Sequence, residues 1–364
     1  MRIIMHGATN RGSSNFGDFI YGEVFYRFIK NIDNRIECTF YQPSEYFIKY
    51  VEGYVQKKIC IRKSDLILYL PGGYFGEPHK TSLKGSIIHF LRFMPLGLFG
   101  TVLNKKIAII GVGAGPINSM IFKLPISIIG KHSETISVRD KESYEALKTL
   151  KIKNITLAFD PILGVDIKAL GKNTSQIEKI KSKVGNKKIL FVHYNHSRNA
   201  LSQFATAVNL FVDKNPQYIV VVGSDCIMNI ENELFNEFRK KIKCDCIHYK
   251  YDSPHEFISF LDICDMVLTC KLHAGVVAGQ LGKSVICIAD HPEKTSRYYE
   301  HIGEKERCIS LYESNSDQIY NLLEKYKDKD IIISDEIKEN VKEAIVELKN
   351  AGIKKTVMLT GDSK

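Results

Sequence analysis

Short runs of consecutive apolar residues alternate, along nearly the whole chain, with segments whose apolar residues recur at helical spacing. "RIIMHG" is followed by "GDFIYGEVFYRFIKNI", in which Phe19, Ile20, Val24 and Phe28 share one helical face. "SDLILYLPGG", "KKIAIIGVGAGP", "TISVRD" and "NITLAFDPIL" continue the series, each ending at a Gly, Asp or Pro turn. A strand that is apolar along its whole length needs cover on both faces, and helical crossovers supply it. The pattern predicts an α/β chain with parallel sheets and helices on both faces.

The series runs twice. It weakens between Asp166 and Lys188 into a segment of Lys, Ser, Asn and Gly, which reads as a linker. It resumes with "KKILFVHYN", "QYIVVVGSD", "CDCIHYKY" and "MVLTCKLHAGVVAGQLGKSVICIADHPEK". A chain of 364 residues exceeds one typical core and suits two. The expected organisation is an N-terminal Rossmann-like domain over 1–166 and a C-terminal one over 186–333, facing across a cleft. A helix and tail over 334–364 follow, with Ile337, Val341, Ala344, Ile345 and Leu348 on one face.

The net charge of +10 suits anionic substrates or an anionic membrane face. Its Lys and Arg are scattered and carry no nucleic-acid signature, so no nucleic-acid partner is expected. Nine Cys form no C-x-x-C pair, and the apolar setting of Cys264, Cys270 and Cys287 predicts reduced, buried thiols of a cytoplasmic protein. The opening "MRIIMHGATN" reads as a strand and turn, unlike a signal peptide. The most lipid-like stretch, "FMPLGLFGTVL" from Phe93 to Leu103, is too short to span a bilayer. A buried helix is its first reading, and peripheral contact with the inner face of the membrane its second.

Ligands of open parallel sheets bind beyond the carboxyl ends of the strands. In "HGATNRGSSNFGDFIYG", Asn15 and Asp18 bracket a helix start whose free N–H groups suit an anion. Gly73 and Gly113 let something approach the backbone closely, whether a ligand or a neighbouring element. Arg139 is a fixed cation at a strand end, with Asp140 as ion-pair partner or helix cap. His193 and Arg198 crowd the loop after "KKILFV"; no complete metal-ligand set accompanies them, and anion or sugar contacts fit better. Lys271 and His273 stand where a buried strand meets a small-residue helix, a ready anion pocket, and Lys294 follows soon after.

Together these blocks resemble the polysaccharide pyruvyl transferase family. They are "NFGD" (Asn15 to Asp18), "PGGYF", "GVGAGP", "SVRDKES", "FDPIL" and "KLHAGVVAGQLGKSVICIADHPEK", in the family's order from Met1 to about Gly303. One departure is Lys271, where the family has Arg before Leu-His. The charge is kept and the forked two-point grip is lost.

The resemblance implies a GT-B-like double-Rossmann transferase. It would move the pyruvyl unit of phosphoenolpyruvate to a sugar acceptor, free or lipid-linked, as a ketal, with no further cofactor. For that chemistry His273 is assigned as general acid and Asp18 as base or orienter of the acceptor hydroxyl. Asn15, Arg139, Lys271, Lys294, His193, Arg198, Gly73 and Gly113 would be substrate contacts, with acceptor on the first domain and donor on the second. Two other readings stand beside it. One is a nucleotide-sugar glycosyltransferase with Glu256 or Glu293 on the ribose. The other is a non-catalytic sugar or anion binder.

Overall fold

A computed structural model describes residues 1–10, 14–58, 60–78, 82–194, 198–227 and 230–350, the backbone alone at 198–199 and 343–350. The side chain of Arg198 lies outside the described residues. The chain divides into two compact units. The first comprises Met1–Ser13, Asp18–Pro161 and Glu339–Lys364; the second comprises Ser14–Gly17 and Ile162–Lys338.

The first unit holds strands β1 (Arg2–His6), β2 (Glu37–Phe40), β3 (Leu66–Tyr69), β4 (Gly72–Phe75), β5 (Lys106–Ala114), β6 (Thr135–Val138) and β7 (Ile155–Leu157). They form one parallel sheet in the order β2-β1-β3-β5-β6-β7, with β4 also paired to β5. Leu66 to Tyr69 are fully buried, as continuous apolar strands require. Ser44, Ser82 and Asp140 cap the helices that follow them, each accepting a first-turn N–H.

The second unit holds β8 (Lys188–His193), β9 (Tyr218–Gly223), β10 (Cys246–His248), β11 (Met266–Thr269), β12 (Ser284–Ala289) and β13 (Cys308–Ser310). Their order is β10-β9-β8-β11-β12-β13, all parallel. This is the doubly wound order, and strand succession reverses between β8 and β11. The helices Arg198–Lys214 and Ser316–Tyr326 bring Phe204, Val208, Phe211, Ile319 and Leu323 onto a core with Leu190, Val192 and Leu268. Fully burying one such side chain stabilises by roughly 1.5–3 kcal/mol.

Three expectations change. The linker contains a helix, Ser175–Val184, capped by Thr174 and burying Ile177, Ile180 and Val184. Thr174 and Gln176 donate to the carboxylate of Glu256, which is buried. The segment Ser14–Gly17, read with the first domain, clusters with the second. Asn15 bridges to Cys226, the Phe16 N–H donates to the Asp225 carbonyl at 3.0 Å, and the Phe16 ring meets Phe257 edge-on. The stretch from Phe93 to Leu103 buries Phe93, Met94 and Leu96, but leaves Phe99 and Val102 outside. It is a surface helix with one buried face.

Candidate active site

The reversal between β8 and β11 is where a doubly wound sheet opens a crevice at its carboxyl edge. β8 ends at His193 and β11 at Thr269, which are register partners. The Thr269 hydroxyl lies 2.6 Å from His193 Nδ1 and accepts the Lys271 N–H at 3.0 Å. The same hydroxyl also reaches the Lys271 carbonyl at 3.4 Å, so it links the His193 ring to the turn that opens the next helix. Nε2 faces Asp225, just past β9, at 3.4 Å. His193 has no exposed surface. It was expected to touch substrate. Instead it fixes the two residues on either side of it, because its ring points into the sheet edge.

Asp225 is the charge that organises this corner. Burial opposes its ionisation, but the contact and charge of His193, then Lys271 and His273, outweigh burial and hold the carboxyl at about 2. Reciprocally, the Asp225 charge acts against burial to raise the Lys271 ammonium above its usual range. Lys271 thus stays charged at the N-cap position of the helix Leu272–Gln280, where its own side chain makes no capping hydrogen bond. Those N–H groups, the dipole and an ammonium make an anion-binding helix start.

His273 sits half-buried in the first turn. A Cβ added to Gly17 would lie 2.1 Å from its Nδ1, so the "NFG" segment provides the floor on which the imidazole rests. Lys294 occupies the first turn of the helix Pro292–His301, which follows β12, the strand beside β11. Asn15 holds the floor through its bridge to Cys226.

The other predicted residues belong to the first unit. Arg139, directly after β6, is 8% exposed. Its guanidinium covers two glycines: a Cβ on Gly113 would come within 2.8 Å of Nη2, and one on Gly73 within 3.4 Å. What approaches these glycines is Arg139 itself, which replaces the expected direct role in substrate contact. Asp140 is a helix cap, accepting the Ser143 N–H at 2.7 Å, and its other oxygen stays 3.8 Å from Arg139 Nε. Arg139 Nη1 is buried without a hydrogen-bond partner. A buried donor left unpaired costs about 1–3 kcal/mol, which an anionic ligand would recover.

Tyr21, near this guanidinium, donates to Asp160 at 2.6 Å. Burial first, then the Asp160 charge, push its phenol well above the usual range, so it remains a donor. Asp18, three residues before Tyr21, is half-buried in the first turn of the helix Phe16–Ile32.

Sequence reasoning passed over Asp225, Thr269, Tyr21 and Asp160. Asp225 and Asp160 both lie just past strand ends, in "VVVGSD" and "TLAFDP", so the strand-end rule had the signal to find them. Glu256, considered as a ribose ligand, is consumed by Thr174 and Gln176.

Comparison with known proteins adds the following. The family model described as polysaccharide pyruvyl transferase matches residues 15–292. UDP-GlcNAc 2-epimerase from Methanocaldococcus jannaschii superposes with a TM-score of 0.64 at 12% identity, covering 96% of this chain and 100% of that one. MnaA of S. aureus with UDP gives 0.63 at 12% identity, with coverage of 96% and 98%. The Neisseria meningitidis UDP-GlcNAc 2-epimerase bound to UDP-GlcNAc gives 0.59 at 13%, with 96% and 100%. At such identities the likeness shows the fold, which is GT-B. A 34-residue stretch is 65% identical to a cadmium, zinc and cobalt-transporting ATPase of Bacillus subtilis. It spans 9% of this chain and 5% of that protein, and says nothing of activity.

Proposed function

Because the chain belongs to the polysaccharide pyruvyl transferase family, we propose that it transfers the pyruvyl group of phosphoenolpyruvate to a sugar of a surface polysaccharide or its lipid-linked precursor. The product is a pyruvate ketal, and phosphate is released. The observation that carries this reading is the start of the helix Leu272–Gln280 at the strand reversal, with Lys271 at its N-cap and His273 in its first turn.

The donor is small and strongly anionic, and it needs N–H groups and cations around its phosphate and carboxylate. The first-turn N–H groups and Lys271 take the phosphate, with Lys294 as a further cation. His273 gives a proton to the enol methylene, which becomes a methyl group, and positive charge develops on the adjacent carbon. A sugar hydroxyl adds to that carbon and loses its proton to Asp18. A second hydroxyl then displaces phosphate and closes the ketal, its proton leaving with the phosphate. An imidazole suits the first step because its ordinary pKa is about 6.5. His193, Thr269 and Asp225 are positioning residues. The first unit, with Arg139 and Tyr21, is assigned to the acceptor.

A nucleotide-sugar donor would use the same helix start. It would also want a carboxylate for the ribose hydroxyls, and Glu256 is committed within the fold. Melting temperatures measured with phosphoenolpyruvate and with UDP-sugars separate the two donors through binding linkage. The proposal expects stabilisation by phosphoenolpyruvate; a shift with UDP-sugars alone rejects it.

A further inference from the structure

Between Glu77 and Glu134 the sequence contains no acidic residue and seven Lys or Arg. These 56 residues carry seven of the chain's ten net positive charges. Three helices of the first unit lie within the stretch, Leu83–Phe93, Pro95–Val102 and Met120–His132, and they pack on one another. Each buries one face, through Phe93, through Leu96, and through Phe122, Ile126 and Ile129.

A helix with its outer face in water carries polar residues there. The outer faces of these helices are instead largely apolar. Ile88, Leu91, Phe99, Val102, Met120 and Leu124 are each 56–82% exposed. An apolar groove of about 350 Å³, lined by Ile87, Phe90, Leu98, Met120, Leu124 and Ile128, opens on the same three helices. Exposed Lys84, Lys123 and Lys131 stand on the same helices. Contiguous exposed apolar surface of this kind marks an interaction site.

We propose that this three-helix face docks on an anionic lipid bilayer. The apolar side chains would enter the headgroup boundary while the lysines meet lipid phosphates. Charge selects this occupant. A second copy of the chain, seated by two-fold symmetry, would set the same acid-free surface against itself, like charge against like. A bilayer of acidic lipids presents the complementary sign. The contact is peripheral. Among the described residues no single helix is long and apolar enough to cross a membrane, and the pair Leu83–Phe93 and Pro95–Val102 is bent by 47°.

The test is co-sedimentation of the full chain with phosphatidylglycerol-containing vesicles and with pure phosphatidylcholine vesicles, with molar mass followed by light scattering. The expected result is binding at least tenfold tighter to the anionic vesicles. Leu91→Glu combined with Val102→Glu should lower that affinity at least tenfold with an unchanged melting temperature. Replacing Lys84, Lys123 and Lys131 by Gln should weaken binding by roughly fivefold per lysine. Failure to sediment with anionic vesicles, or equal sedimentation with both kinds, overturns the proposal. So does conversion of a dimer to a monomer by the Leu91 and Val102 changes with lipid binding intact.

Discussion

The imidazole of His273 rests directly on the backbone of Gly17: a Cβ there would lie 2.1 Å from Nδ1 and 2.7 Å from Cγ. The contact joins two motifs more than 250 residues apart in sequence, and it gives the glycine of "NFGD" a steric reason. Gly17→Ala must move the ring. The expected outcome is a loss of turnover of at least about 100-fold, the order of cost for a misplaced reacting group. The melting temperature should change by only a few degrees. Steady-state phosphate release and calorimetry check both halves.

Asp225 provides a pH-dependent share of stability. Its folded pKa, about 2, lies below the ordinary 3.8. A depressed carboxyl stabilises the fold above the unfolded pKa, and that share is lost as pH falls through the folded value. The window therefore runs from about pH 4 down to about pH 2, and the share at neutral pH is about 2 kcal/mol. Asp225→Asn should lower stability at pH 7 by about that amount, with the gap to wild type narrowing as pH falls below 4. Denaturant titrations at several pH values measure it.

His6 opens a second acid window, at higher pH. It lies at the end of β1 among Tyr41, Tyr69 and Phe93, with both ring nitrogens buried. Burial drives its pKa from 6.5 down to about 3. The unfolded chain takes up this proton below about pH 6.5, whereas the folded chain resists until about pH 3. Stability should therefore fall as pH drops through that range, by up to about 5 kcal/mol. His6→Leu removes the titration. Its stability should fall less steeply than wild type between about pH 6.5 and about pH 4, the remaining slope including His89, whose pKa burial also lowers, and an unchanged slope would contradict the assignment.

The sheets could be read from sequence because their strands are apolar on both faces. "LILYL" and "ILFVH", short apolar runs alternating with helical segments, suit a covered parallel sheet. The helix Ser175–Val184 was hidden because its three buried residues sit among Lys, Ser and Gln, which outweigh them in composition. His273 and Lys271 announced themselves at a strand-to-helix seam. His193 did too, but a strand-end position does not tell which way the ring points, and here it points inward. Arg139 over Gly73 and Gly113, and Gly17 beneath His273, are pairings across long loops, which only the folded chain brings together. Asp225 looked like any polar residue after a strand until the fold set His193, Lys271 and His273 around it.

Calorimetric titration of phosphoenolpyruvate into wild type, Lys271→Met and Lys271→Arg tests whether the helix start beside Lys271 holds that compound. Wild type should bind saturably, and Lys271→Met at least tenfold more weakly. Lys271→Arg should bind at least as tightly as wild type, because a fork can grip two oxygens. Equal affinity in wild type and Lys271→Met, or no binding by wild type, would contradict it.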